Sequence, residues 1–325
     1  MSRQSYILRR LLQAVVALFV VTTIMFVLFR IAPSDPASVA LSPSLSPKLR
    51  QAKLAQFGLD KPLIVQYKLY LQNALALNFG QSYFYREPVS RILARRMTNT
   101  FVLMAPALLI AYSLGTVLGG WAAWRRGHTP DRAVLVAATL FRSVPSFVLS
   151  LVLLYVFSFK LQWLPNGHMV SPTASFSSNV QKFVSVAFLK HVLLPVVSIV
   201  PFLMAYPVLL MRTTMLETLN EDFITMCHAK GLTARRVFVD HAVRNSLIPL
   251  ITTMPIILGL SVTGNILVES IYSWPGIGSV LVQSLLKGDY PLSQGAFLLI
   301  AAIIIAGNFV VDVVYSMVDP RIEYN

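Results

Sequence analysis

Charge is nearly absent from six long stretches of this chain, and their spacing limits what it can fold into. Leu11–Phe29, Met97–Trp124, His191–Met211, Asn245–Val268 and Tyr290–Val311 contain no Asp, Glu, Lys or Arg, and Ala133–Phe159 contains only Arg142. A helix needs about 20 apolar residues to cross roughly 30 Å of hydrocarbon, and each stretch is long enough. Of 325 residues, 56% are hydrophobic and 12% charged, the latter about half the roughly 25% of a soluble domain. Mean hydropathy is +0.67. Such a chain cannot cover a water-facing surface, so the expected fold is an all-α integral membrane protein with about six transmembrane helices. A pair of soluble domains, a disordered chain and a collagen are excluded; so is a disulfide scaffold, because Cys227 stands alone. A seventh uncharged stretch, Leu161–Gln181, is rich in Ser, Pro, Asn and Gln and reads as a loop.

Arg3, Arg9 and Arg10 precede the first span, as in a signal peptide. Its apolar run exceeds the 7–15 residues of a signal and no A-x-A site follows, so a retained helix is expected. With the N-terminus inside, the short cytoplasmic pieces hold Arg3, Arg9, Arg10, Arg125, Arg126, Arg132, Arg212, Lys230, Arg235, Arg236, Arg244 and Arg321. The two shorter outer loops hold Lys160, Lys182, Lys190 and Lys287. The long connection after the first span exceeds the roughly 60 residues over which the positive-inside bias acts and is set aside. The balance favours both termini in the cytoplasm. The net charge of +14 suits anionic lipid or an acidic partner face; no aromatic-interleaved basic module points to nucleic acid.

The chain divides into a tail and first span (1–30), an outer loop (31–96) and a core of five further spans (97–325). In the loop, Ser46 and Pro47 open a plausible helix that Gly58 closes, and Pro62–Leu77 forms a second amphipathic run before Phe79–Gly80. Either a docking subdomain or a packing lid fits, and either helix could lie on the membrane surface. Pro106, Pro145, Pro195, Pro201, Pro207 and Pro255 fall inside spans, where each removes a backbone donor and bends its helix. Gly115 and Gly119 form a G-x-x-x-G pair that permits close helix approach. Arg142 at membrane depth must face protein or water: it either meets a solute carboxylate or pairs structurally. Asp312 reads as an interfacial structural carboxylate.

The longest inside connection, within 212–246, has the clearest local signals. Asn220 can cap a helix with Glu221 and Asp222 in its first turn, Lys230 in its last and Gly231 at C′. Thr233 can cap a second helix, in which Arg236–Asp240 and Asp240–Arg244 are spaced i, i+4. Two short helices joined at a glycine hinge are expected on the cytoplasmic face. Cys227 reads as a small packing residue.

This segment, Glu221-Asp222-Phe223-Ile224-Thr225-Met226-Cys227-His228-Ala229-Lys230-Gly231-Leu232 followed by His241-Ala242-Val243-Arg244-Asn245-Ser246-Leu247-Ile248-Pro249, resembles the coupling region of ABC importer permeases. Further matches point to the dipeptide/oligopeptide permease branch. They are Arg9-Arg10-Leu11-Leu12, Ala32-Pro33-Ser34-Asp35-Pro36, Gly58-Leu59-Asp60-Lys61-Pro62, Gln66-Tyr67, Phe79-Gly80-Gln81-Ser82 and Pro88-Val89. Later in the chain come Trp274-Pro275-Gly276-Ile277-Gly278, Asp289-Tyr290-Pro291, Asn308, Asp312, Tyr315 and Asp319-Pro320-Arg321. The family pattern is departed from at Thr225-Met226-Cys227 and His228, and Asn166–Val186 looks like an insertion.

The resemblance implies a type I ABC importer membrane domain in the cell membrane. It pairs with a second permease, usually a different one, and works with two ATPase domains and an extracytoplasmic solute-binding protein. Di- or oligopeptides are the implied cargo; nickel chelate, glutathione or a peptide-like antibiotic would use the same machinery. Glu221, Asp222, Ala229, Lys230, Gly231, Leu232, Arg235, His241, Arg244, Asn245 and Pro249 are the implied ATPase-coupling residues. Arg142, Pro145 and Asn265 are the candidates for the translocation pathway.

No G-x-x-x-x-G-K-[ST] occurs, so ATP and magnesium are expected on separate chains, and no cofactor or metal on this one. An intramembrane enzyme lacks its signatures: His128, His168, His191, His228 and His241 form no H-E-x-x-H, and no G-x-S-x-G occurs. A secondary transporter would place ion-coupling groups near mid-membrane, where only Arg142 stands.

Overall fold

The computed structural model describes residues 3–31, 61–171 and 173–318. The expected helix between Ser46 and Gly58, the motifs at 32–36 and 58–60, and Arg321 lie outside them. Among the described residues there is no strand, only an isolated bridge between Gln81 and Pro88. Among the described residues four helices are long and apolar enough to cross a membrane, five if one bent pair is a single span.

Two compact units emerge from the packing, one from residues up to Thr100 together with those from Pro275 on, the other from Phe101–Trp274. This grouping follows contact rather than the order of the chain.

In the first unit, α1 (Arg3–Ile31) lies antiparallel to the last helix, Tyr290–Val318. Arg10 Nη1 meets Asp312 Oδ2 at 3.4 Å near one end, and Phe29 stands edge-on to Tyr290 at 5.7 Å near the other. Asp312 is thus the structural carboxylate expected. The helix α2 (Leu63–Leu75), with Pro62 at its N-cap, realises the amphipathic run. It docks on α1 through Tyr67, whose hydroxyl is 2.6 Å from Thr23 Oγ1, and through Tyr67 and Tyr70 against Phe26.

A tight loop then brings two distant motifs together. Asp289, 1% exposed, accepts the Ser82 hydroxyl and the Tyr83 and Phe84 amides, the latter two at 3.1 and 3.2 Å. Hydrogen bonds to a buried carboxylate each contribute about 1.5–3 kcal/mol. Asp289→Ala should therefore release residues 82–87, read as faster amide exchange there with α1 unaffected; unchanged protection would mean that the loop holds itself. The Pro275–Gly276 turn opens helix Ile277–Leu286, whose first amide donates to Thr100 Oγ1 at 2.8 Å.

The second unit is built around a 33-residue helix, α7 (Val186–Thr218). It is preceded by α3 (Val89–Trp124), α4 (Thr129–Ser143), α5 (Ser146–Leu153, continuing as a π-helical turn to Lys160) and the short α6 (Asn179–Phe183). The most apolar window of α7 is 61% buried within the chain, against 11% for α1, which marks α7 as central. Helix α7 runs through Pro195, Pro201 and Pro207 without interruption, as α3 does through Pro106.

Pro145 behaves differently. Val144 before it is extended (φ −85°, ψ 117°), as proline demands of its predecessor, and α4 and α5 meet at 91°. The expected continuous span Ala133–Phe159 is therefore two helical arms.

The G-x-x-x-G pair packs against α7. A Cβ on Gly115 would lie 2.6 Å from Pro207 Cγ, and one on Gly119 would lie 2.8 Å from Met211 Cβ. Next door, a Cβ on Gly120 would find nothing closer than Met211 Cε at 3.8 Å. Gly119→Ala should thus destabilise by about 1–3 kcal/mol through overpacking, and Gly120→Ala should be near neutral. Thermal melts of the two variants in detergent compare them directly; equal melting would deny the close approach.

The stretch that looks like an insertion is partly core. Met169 is 3% exposed within the main apolar cluster, beside Tyr272, Trp274 and Phe188. The His168 amide donates to the Tyr272 carbonyl at 2.8 Å.

Candidate functional site

Between the fourth and fifth spans the chain leaves α7 through a turn at Leu219–Glu221. Asn220 does not cap the helix that follows: its Nδ2 donates back to the Leu216 carbonyl at 2.9 Å, closing α7. Glu221 is the N-cap of α8 (Asp222–Ala229), in extended conformation and without a side-chain cap bond. Asp222 in the first turn faces the positive end of the helix dipole.

The far end of α8 follows the expectation closely. Lys230 is the C-cap, and Gly231 stands at φ +78°. Its amide donates to the His228 carbonyl at 2.9 Å, and the Leu232 amide to the Cys227 carbonyl at 3.3 Å. These two bonds make a Schellman ending, whose left-handed position glycine occupies without strain.

The second short helix is not separate. Ala234–Arg236, with Thr233 as N-cap, continues through a π-helical turn, Val237–Val243, into Arg244–Gly264. We call this continuous rod α9; it holds the expected fifth span only as far as Gly264, where Asn265 breaks it, and extends it toward Gly231. The cause lies in the backbone: Arg236 and Val243, at the two junctions, both keep helical angles. Arg236 and Asp240 form the expected ion pair at 3.5 Å, both exposed. In the π turn, residues bond i to i+5, which takes Asp240 and Arg244 out of the alignment that an α-helix would give them.

One side chain pegs α8 to the bundle. Ile224 is 4% exposed and packs in a cluster with Ala123, Met211, Met215, Val237, Ala242 and Leu250. Cys227 and Leu232 pack at its edge, as expected for a small apolar cysteine. Phe238 meets Trp124 edge-on at 4.5 Å. Ser246 Oγ donates to Thr218 Oγ1 at 3.1 Å, tying the start of α9 to the end of α7.

Opposite Ile224, α8 is open. Glu221, Asp222, Ala229, Lys230 and Arg235 are exposed, with Phe223 and Met226 (59% exposed) among them. Arg244 and Asn245 are exposed on α9, Asn245 donating to the His241 carbonyl at 2.8 Å; His241, Leu232 and Pro249 are half-buried. The implied coupling residues therefore gather around one projecting helix and the head of one rod.

The pathway candidates do not gather in this way. Pro145 is exposed at the α4–α5 bend and Arg142 is exposed one turn before it. Asn265, between α9 and α10 (Ile266–Ile271), is 7% exposed, with its Nδ2 3.6 Å from Met104 Sδ. It is enclosed by this chain's own side chains.

One constellation is absent from the sequence-based list. Arg212 Nε and Nη2 donate to Asp131 Oδ1 and Oδ2 at 2.6 and 2.9 Å, and the Gly127 amide donates to Oδ2 at 3.0 Å. Asp131 is 3% exposed. The clamp joins the first turn of α4 to α7 a few residues before α8. Its one sequence signal is a single acid among Arg125, Arg126 and Arg132.

Long apolar helices, with the short α8 pegged beside the end of one of them, define a polytopic membrane component. Residues 115–324 match the family described as "Binding-protein-dependent transport system inner membrane component", and residues 3–104 match its N-terminal counterpart. The chain is 38% identical over 98% of each sequence to a Brucella ovis protein whose name assigns it provisionally to peptide permeases. It is 34% identical to the Di/tripeptide transport system permease protein DppB of Pseudomonas aeruginosa and 31% to the Oligopeptide transport system permease protein AppB of Bacillus subtilis. Each of these covers 98% of this chain and 99% of the relative. The chain belongs to the binding-protein-dependent transport system inner membrane components, the membrane-domain family of type I ABC importers, and is a translocation subunit.

Proposed function

We propose that this chain pairs with a second, homologous permease to form the path by which di- and oligopeptides, delivered by an extracytoplasmic binding protein, enter the cytoplasm. Both termini lie in the cytoplasm. Two separate ATPase domains, carrying the ATP and magnesium, grip α8 in a groove. ATP-driven closure of that pair favours the outward-open bundle, and release favours the inward-open one, a shift of population between two states.

The observation that supports this reading is the construction of α8. It is short, pegged by Ile224, open on its outer face, and joined through Gly231 to the continuous rod α9. A push on α8 reaches the membrane-crossing part of α9 without an intervening flexible segment after Thr233. The names of the relatives support peptide as cargo; nickel chelate, glutathione or a peptide-like antibiotic are the competing solutes.

Gly231 supplies a graded test. A Cβ there meets nothing within 4 Å, so bulk alone costs nothing inside this chain. The left-handed backbone is what penalises other residues, by about 1–2 kcal/mol and most for β-branched ones. In proteoliposomes holding the second permease, ATPases and binding protein, the wild type should take up labelled peptide only with ATP. Gly231→Val should lose most uptake while ATP hydrolysis continues, and Gly231→Asn should lose little. Uptake without the ATPases would make the chain a secondary carrier and end this reading. Normal uptake by Gly231→Val would remove the coupling role.

A further inference from the structure

Arg142 stands in the last turn of α4 in an unusual position. Its neighbours Leu140, Phe141 and Val144 are 61%, 41% and 41% exposed, as suits helices at hydrocarbon depth. Among the described residues the Arg142 side chain makes no hydrogen bond or ion pair, and it is exposed. A guanidinium facing lipid at such a depth costs at least about 2.5 kcal/mol.

The helical phase gives Arg142 another direction. Asp131, Leu135, Ala138 and Arg142 succeed one another at i, i+4, i+7 and i+11, about three turns in all. Asp131 and Ala138 are each 3% exposed, Asp131 bound to Arg212 of α7 and Ala138 packed with Ala205 and Val208 of the same helix. Arg142 thus continues the stripe that faces protein, yet it is itself exposed.

The backbone supports the same direction. The break at Val144–Pro145 is exposed in this chain. Irregular backbone at membrane depth is tolerated only where protein covers it or a water-filled cavity runs beside it. We infer that the α4–α5 bend lines the water-filled pathway and that Arg142 receives the C-terminal carboxylate of the peptide in transit. A guanidinium suits that task because its planar fork pairs with a carboxylate through two parallel N–H donors. This assignment rests on the peptide reading above.

The test uses the whole transporter in proteoliposomes and two forms of one labelled tripeptide, the free acid and its C-terminal amide, each saturating the binding protein. The wild type should carry the acid faster than the amide, and Arg142→Gln should lower acid uptake by about tenfold, ~1.4 kcal/mol, leaving amide uptake unchanged. Arg142→Lys, which keeps the charge without the fork, should fall between. Assembly yield of each variant with its partners should equal the wild type, since Arg142 holds none of the described residues by a hydrogen bond or ion pair. An acid-to-amide ratio unaltered in Arg142→Gln overturns the assignment while leaving peptide transport standing. A wild type that carries neither form overturns the peptide reading itself and this role with it.

Discussion

Asp131→Ala is expected to be the most damaging single change in the second unit, even though Asp131 lies far from α8 along the chain. Removing the carboxylate leaves the Arg212 guanidinium, whose side chain is 22% exposed, without the two oxygens it now holds at 2.6 and 2.9 Å. The Gly127 amide loses its acceptor in the same step. Breaking a buried pair by deleting one partner costs about 3–5 kcal/mol, because the surviving charge stays buried and uncompensated. At about 2–4 °C per kcal/mol, the melting midpoint in detergent should fall by about 10 °C. The pair itself contributes less than this number suggests. Replacing both residues with apolar ones, Asp131→Leu with Arg212→Met, should recover much of the loss, since no unpaired charge then remains. A melting temperature unchanged in Asp131→Ala would mean that water, and not this carboxylate, satisfies Arg212.

The second large effect is expected at Ile224, where structure and transport should separate. Ile224→Asp deletes the peg and offers a carboxylate to a cluster lined by Met211, Met215 and Val237. Emptying a buried aliphatic site costs about 2–5 kcal/mol, and a charge there must leave for water. Since Ile224 is the one fully buried residue of α8, the helix should detach rather than drag the bundle with it. A loss of about 3 kcal/mol lowers the docked-to-undocked ratio by more than about a hundredfold. Amide exchange across residues 222–232 should become fast while the α3–α7 contact at Gly119 stays protected. In the reconstituted transporter, ATP hydrolysis should then no longer support uptake. Slow exchange in the variant would show that Ile224 is not what holds α8.

Much of this chain is readable one residue at a time. The apolar runs mark helices because the penalty for charge in hydrocarbon is local and nearly additive. Several helices nevertheless outrun their runs: Met97–Trp124 begins at Val89, His191–Met211 extends to Val186–Thr218, and Asn245–Val268 is entered by a rod that starts at Ala234 but ends at Gly264. A charged residue ends the membrane's claim on a helix but not the helix's own hydrogen bonding. Gly231 was legible for a similar reason, because a Schellman ending needs only one residue free of Cβ strain and its nearest neighbours. Asn220 misled because two helix ends compete for it, and the closing carbonyl of Leu216 prevails over the opening amides of α8.

What the amino-acid order determined alone is where the chain can cross a membrane, where the projecting helix ends, and that Gly115 and Gly119 admit a close neighbour. Which helix that neighbour is, that Pro145 breaks its span while Pro195, Pro201 and Pro207 do not, and that Asp131 meets Arg212 or Asp289 meets Ser82 were decided only by tertiary packing. Composition and periodicity sum over near neighbours in the chain. Clamps and pegs depend on pairs of residues far apart in it, and those pairs acquire an energy only when the fold sets them side by side.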